Sequence, residues 1–372
     1  MLNLTAGGLS GGYRKYLRRV VPMLCAEGTV RELLVVLPPG HEQQPGITGD
    51  VWSWRSGEHW RGYPALRDRV RAWKPDVVFI PTARYIDCQA PTLVMVQNML
   101  PMLPPTLRDG LSAWAKLRVD ATLARRATRS ATRVIAVSDY VRDFLVKHWS
   151  VPAQNIGVVY HGVDEAVPMQ EPSSTPSLPN EPFIFTAGSL FTYRGLEDAV
   201  RALALTATPV KLVIAGEGSA SYRARMMALA NELGVANRIV WLGQVDPTVM
   251  TVAYQQCVAF VMTSRVEACP NIALEAMASG ARCISTSCAP MPEFFAEQAL
   301  YYAASDSSAL ATHINTVVGT PTVEAMQHRL GVQQRAGVFT WDDTLRGVVR
   351  ELKSTLEGRV LHELKPALAR GT

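Results

Sequence analysis

Apolar residues in this chain gather in short, unbroken, β-branched runs rather than alternating with polar ones. In the first half the runs lie in "RELLVVLPPG", "KPDVVFIPTA", "TLVMVQN", "RVIAVSDY" and "IGVVYHG". In the second half they lie in "FIFTAGSL", "VKLVIAGEG", "RIVWLGQ", "CVAFVMTS" and "ARCISTS". A strand that is apolar at every position is covered on both faces, so these runs predict parallel sheets with helices packed on either side. Helical periodicity fills the gaps. Over residues 111–129, Leu111, Trp114, Leu117, Ala121 and Ala124 recur at steps of three and four and predict one apolar face among arginines. "GLEDAVRALAL" after Arg194 has the same period, and "YRARMMALANELG" from Tyr222 stops at Gly234.

At 372 residues the chain is too long for one ordinary core. Its halves meet at residues 165–182, "EAVPMQEPSSTPSLPNEP", a proline-rich stretch with almost no large apolar side chains, which reads as a linker. The expected fold class is α/β: two doubly wound, Rossmann-like parallel-sheet domains over residues 1–164 and 183–345, with C-terminal helices over residues 346–372. Ligands of such sheets bind outside the carboxyl ends of the strands, so a cleft between the domains is the expected place for chemistry.

Composition narrows the class. With 48% apolar and 19% charged residues the chain is globular rather than disordered. Six cysteines without a Cys-x-x-Cys pair argue against a metal or disulfide framework and for reduced thiols in a cytosolic protein. The glycine-broken N-terminal run is too short for a signal peptide, and the longest uncharged run, residues 88–107, carries four prolines, so no spanning helix is expected. The chain is expected to be cytoplasmic, at most resting on a membrane. The net charge of +5 is mild, but "YRKYLRR" and residues 101–150 concentrate the basic side chains beside Tyr13, Tyr16 and Trp114. That pattern fits either solvated helix faces or contact with an anionic membrane surface. No nucleic-acid reading motif accompanies it.

The chemistry concentrates in "SRVEACPNIALE", residues 264–275. A strand ends near Ser264, a loop carries Glu267 and Cys269, and a helix opens at Pro270–Asn271 and closes at Gly280. An open helix start at a strand's carboxyl end is an anion site, with unpaired N–H groups and the positive end of the dipole. Glu267 would precede the anion and Glu275 lie one turn beyond it. Carboxylates accept hydrogen bonds from sugar hydroxyls, so the arrangement suits a nucleoside diphosphate sugar, one glutamate for each sugar. The plain alternative is a solvated loop residue and a surface helix residue.

The stretch resembles the Glu-x7-Glu signature of the family 4 retaining glycosyltransferases of the GT-B fold. Further motifs follow the family's order along nearly the whole chain: "GGLSGG", "VIAVSDYVRDFL", "VVYHGVD", "AGSLFTYRGLEDAVRAL", "LVIAGEGS", "RIVWLGQV" and "APMPEFF". The resemblance implies an N-terminal acceptor domain, a C-terminal donor domain, and final helices that return to the first. It implies that Glu267 contacts the donor sugar and Glu275 the ribose, and that N–H groups around Pro270, Asn271 and Ile272 hold the diphosphate. The loop of Gly11 and Gly12 would lie beside the reaction centre, and Gly188, Gly216, Glu217 and Cys269 near the donor.

Two departures stand out. The family places a cation after the glycine of the "AG" strand end and another before the next helix. Here the second is Arg194, but the first is neutral Ser189, so a looser diphosphate site or a substitute cation is expected. Where the family has a histidine, this chain has Gln97, which cannot act as a base, so the mechanism must not need one there. The resemblance further implies no cofactor and no metal, catalysis by Arg194 and the helix end, and transfer of a hexose or deoxyhexose to a cell-surface glycan or lipid-linked acceptor. A GT-B epimerase and a non-catalytic nucleotide-sugar-binding protein are the alternatives. His161, in "VYHGV", reads as structural.

Overall fold

The computed structural model describes every residue except 5–10, 39–49, 54–62, 103–110, 166–177, 321 and 369–372. The chain divides into two compact units, the first holding residues 1–102, 115–162 and 341–372, the second residues 103–114 and 163–340.

In the first unit α1 (Gly11–Ala26) is followed by β1 (Leu34–Leu37), β2 (Asp50–Ser53), α2 (Pro64–Trp73), β3 (Val78–Ile80) and β4 (Thr92–Val96). Then come α3 (Leu111–Ser130), β5 (Arg133–Ala136), α4 (Asp139–Trp149) and β6 (Ile156–Val158). Strands β3 to β6 pair in parallel in sequence order, and β1 pairs in parallel with β2. Residues 1–4 join the two sheets: Leu2 N–H donates to Phe79 O at 2.8 Å and Asn3 N–H to Val36 O at 2.9 Å. The resulting order, β2-β1-(1–4)-β3-β4-β5-β6, is a doubly wound one.

The second unit runs through β7 (Phe183–Ala187), α5 (Leu196–Leu205), β8 (Lys211–Ala215), α6 (Ala220–Glu232), β9 (Ile239–Gly243), α7 (Pro247–Gln256) and β10 (Ala259–Met262). It continues with α8 (Asn271–Ala278), β11 (Cys283–Thr286), α9 (Met291–Phe295), β12 (Ala299–Tyr302), α10 (Ser307–Val318) and α11 (Thr322–Ala336). Its sheet is wholly parallel, in the order β12-β11-β10-β7-β8-β9. Strands β7, β10 and β11 are buried at every position. Gly234 (φ +71°) and Gly280 (φ +75°) follow α6 and α8 in the left-handed conformation that only glycine adopts without strain.

A final helix, α12 (Trp341–Leu368), packs on α1 and on β4, β5 and β6 of the first unit. Its Glu351, 3% exposed, accepts hydrogen bonds from Arg133 Nε at 2.9 Å and Nη2 at 2.7 Å. Gly157 makes room for that carboxylate, since a Cβ there would sit 2.2 Å from it.

One periodicity reading needs correcting. On α3 the buried residues are Ala124, Ala127 and Thr128, whereas Trp114 is 41% exposed. Leu117 and Ala121 are half-buried and Ala124 is buried, so among the described residues of the expected apolar face Trp114 is the one that turns to solvent. Most of the proline-rich stretch and of "GGLSGG" lies outside the described residues.

Candidate functional site

The second unit reverses direction between β7 and β10, neighbours in the sheet that are far apart in sequence. Loops leave their carboxyl ends side by side, which is where a doubly wound sheet binds ligands. The first carries Gly188, Ser189 and Arg194, and the second carries Ser264, Glu267 and Cys269 before α8. Between them lies a concavity lined by Gly188, Ser189, Leu190, Arg194, Thr263 and Ser264.

Glycines bring the strand ends together. At Gly216 (φ +126°) a Cβ would stand 1.9 Å from Gly188 O, so no other residue fits where β8 meets β7. Gly188 (φ +121°) leaves space for the Arg194 guanidinium, which a Cβ would approach to 3.2 Å.

Arg194 Nη1 donates to Glu267 Oε1 and to Ser264 Oγ, the latter at 3.1 Å. Both side chains of the pair are largely buried, at 18% and 14% exposure. Burial alone would pull the guanidinium down, but the charge of Glu267 and the neighbouring Tyr193 outweigh it and hold Arg194 above its ordinary value. Arg194 Nε is buried without a partner among the described residues, so this arginine keeps hydrogen-bonding capacity in reserve. Ser189 Oγ lies 2.9 Å from the Tyr193 hydroxyl, so a pair of hydroxyls stands at the position where a cation was expected.

Helix α8 opens at Pro270 without a side-chain cap, and its first intrahelical bonds are made by Ala273 and Leu274 to Pro270 O. Asn271, Ile272 and Glu275 are half-buried on this helix, and Cys269 is half-buried just before it. Tyr254, on α7, is 1% exposed, and its hydroxyl has no partner among the described residues. Burial, then the charge of Glu275, push this phenol well above its ordinary value, while Arg194 opposes them.

The fold thus gathers Gly188, Ser189, Arg194, Gly216, Glu267, Cys269, Pro270, Asn271, Ile272 and Glu275 about one set of strand ends. Glu217 is exposed, and its carbonyl accepts from Leu190 N–H at 3.0 Å. In the first unit, Gln97 follows β4 and its Nε2 donates to Pro81 O at 2.5 Å, and exposed Gly11 and Gly12 begin α1. His161 is 3% exposed, its ring 5.1 Å from that of Tyr16.

Sequence reasoning paired Glu267 with a sugar and Arg194 with a phosphate, and so missed that the two hold each other. It also missed Tyr193 and Tyr254. "AYQQC" offers no signal for Tyr254 beyond an aromatic in an apolar helix.

Two family models tile the chain: Glycosyltransferase Family 4 over residues 11–167 and Glycosyl transferases group 1 over residues 170–336. The chain is 27% identical over 185 residues to a lipopolysaccharide 1,6-galactosyltransferase of Salmonella typhimurium, covering 48% of this chain and 50% of that protein. It is 25% identical over 246 residues to a D-inositol 3-phosphate glycosyltransferase of Segniliparus rotundus, covering 63% and 54%. The chain thus spans about half the length of these curated relatives. Among solved structures it is similar to Anabaena HepE in complex with UDP-glucose, with a TM-score of 0.74 at 18% identity over 95% of this chain and 99% of that one. With two doubly wound units and both family models in their order, the chain belongs to the family 4, group 1 glycosyltransferases of the GT-B fold.

Proposed function

We propose that the protein is a metal-independent retaining glycosyltransferase that moves a hexose or deoxyhexose from a nucleoside diphosphate sugar to a cell-surface glycan or lipid-linked saccharide. The observation that carries this reading is the Arg194–Glu267 pair beside the uncapped start of α8. A diphosphate is dianionic or more, and it suits a guanidinium with bonding capacity in reserve together with the N–H groups of a helix end. Glu267 and Glu275 then serve as acceptors for hydroxyls of the two donor sugars.

In this reaction the bond from the anomeric carbon to the diphosphate oxygen breaks, and a bond to the acceptor oxygen forms on the same face. The acceptor proton passes to the departing phosphate oxygen. Arg194 and the α8 N–H groups stabilise the charge that develops there, so the protein's contribution is positioning and electrostatics, and Gln97 is not required as a base.

The lipopolysaccharide galactosyltransferase among the relatives supports a saccharide acceptor in the cell envelope. The exposed side of α3 supports reaction at the inner face of the cytoplasmic membrane: it carries Val119 and Leu123 beside Lys116 and Arg126, and Trp114 beside Arg118, Arg125 and Arg129. The one acid of this helix, Asp120, is tied to Arg84 at 2.5 Å. An apolar and cationic face of this kind suits anionic headgroups.

The test is thermal unfolding in the presence of UDP, GDP, ADP or dTDP and their sugars, followed by release of free sugar from the donor that binds. A ligand at a hundred times its Kd stabilises by about 2.7 kcal/mol, which is readily seen. No stabilisation by any diphosphate, or full stabilisation of Glu275→Ala, overturns the donor site. Binding without any turnover favours the non-catalytic alternative.

A further inference from the structure

Two segments of the second unit are tied to each other twice, with the charges exchanged. The turn at residues 193–198 gives Arg194 to Glu267 of the loop 263–267, and the loop gives Arg265 back to Asp198 of the turn. Asp198, 3% exposed on α5, accepts from Arg265 Nη2 at 2.8 Å, from Ser305 N–H at 3.1 Å and from the Tyr302 hydroxyl at 3.4 Å. Arg265 Nη2 also donates to Ser305 Oγ at 3.2 Å. The backbones follow the same course: Arg265 N–H donates to Tyr193 O at 2.8 Å and Thr263 Oγ1 to Arg194 O at 2.6 Å. Gly195 (φ +61°) lets them touch, since a Cβ there would stand 2.6 Å from Thr263 O and 3.0 Å from Arg265 Nε.

Of the four paired residues only Arg194 lines the concavity, so an effect of Asp198 or Arg265 on a ligand there passes through the Arg194 turn and the loop it is tied to. A diphosphate arriving at Arg194 competes with Glu267 for the same guanidinium. Were that pair the sole link, neutralising Arg194 would release an acidic loop next to an anion, and like charge would drive the loop away. A second pair, out of the ligand's reach, keeps the loop in place while the first exchanges partners.

We infer that the Asp198–Arg265 pair is a positioning element of the donor site, holding the Glu267 loop against the Arg194 turn so that donor binding does not open it. The inference rests on the nucleotide-sugar reading and deepens it. Burial would pull the Arg265 guanidinium down, but hydrogen bonding and charge from Asp198 hold it above its ordinary value, as a persistent pair requires.

The experiment uses the full chain and two readouts, one independent of any nucleotide. Cys269 sits half-buried in the loop, and Cys25 is exposed in the other unit. Iodoacetamide labelling of each is followed by peptide mass spectrometry in wild type, Asp198→Asn, Arg265→Met and Arg265→Lys. The inference expects Cys269 to label several-fold faster in the first two variants, with Cys25 unchanged and Arg265→Lys in between. It also expects an about tenfold rise in donor Kd and KM, larger than any fall in kcat, which lies in the range of coupling within one network.

Wild-type labelling and KM in folded Asp198→Asn and Arg265→Met overturn it, even if both melt earlier. If a single variant fails to fold, Asp198→Leu/Arg265→Leu removes both charges together and carries the same measurements. If wild type binds none of the four diphosphates while Cys269 still labels faster in the variants, the donor reading falls and the loop tie stands.

Discussion

At the scale of single residues, the site is set by what glycine permits and what a buried charge demands. Gly216→Ala brings a Cβ to within 1.9 Å of Gly188 O in a left-handed backbone, and the expected loss is roughly 3 kcal/mol or more in urea unfolding. Arg194→Met is expected to lower kcat by about 10²–10³-fold, the usual cost of removing one stabiliser of developing charge. It also strands Glu267 in a largely buried position, so Arg194→Met should be less stable than Arg194→Met/Glu267→Gln, a comparison that thermal melts decide. The glutamates at their seven-residue interval were legible because the motif is local: strand end, loop and helix start follow one another. The ion pairs were not, since Arg194, itself legible as a cation, lies 73 positions from Glu267, and Asp198 lies 67 from Arg265.

At the scale of elements, legibility followed burial. Strands covered on both faces, such as β7 and β10, announce themselves as apolar runs. Strands β2 and β12 do not: "DVWS" mixes polar residues in, and "ALYY" is fully buried only at Tyr302. Both lie at sheet edges, where one flank lacks a neighbour and the demand for apolar residues relaxes. Helix α3 departs from its expected stripe at Trp114, and it carries Val119 and Leu123 exposed besides. Replacing Val119 and Leu123 with aspartate should therefore change stability by no more than about 1 kcal/mol, as for other surface changes. The same variant should lose co-sedimentation with vesicles rich in phosphatidylglycerol, whereas unchanged binding to them would remove the membrane role of this face. Helix α12 depends on one buried acid. Glu351→Leu strands Arg133 and is expected to cost about 3 kcal/mol, read as a lower urea midpoint.

At the scale of the whole molecule, buried acids that stay neutral set the alkaline limit. Burial pushes the Cys257 thiol up to about 12 from an ordinary 9.0. The folded state then holds a proton that the unfolded state releases, so this contribution is intact below about pH 9 and fades as pH rises toward 12. Cys257→Ala should flatten the fall of melting temperature over that interval, and an unchanged slope would exclude the thiol as its source. Activity in excess EDTA is expected to match that without it, a direct check on the charge assigned to Arg194.

The return of α12 to the first unit has a consequence for synthesis. Strands β4 to β6 leave the ribosome long before the helix that packs on them, and the entire sheet of the second unit emerges in between. The second unit can close as it is made, while the first waits with an uncovered flank and an unanswered Arg133. Truncation before Trp341 should reproduce that waiting state, and the first unit is where proteases and chaperones would find it.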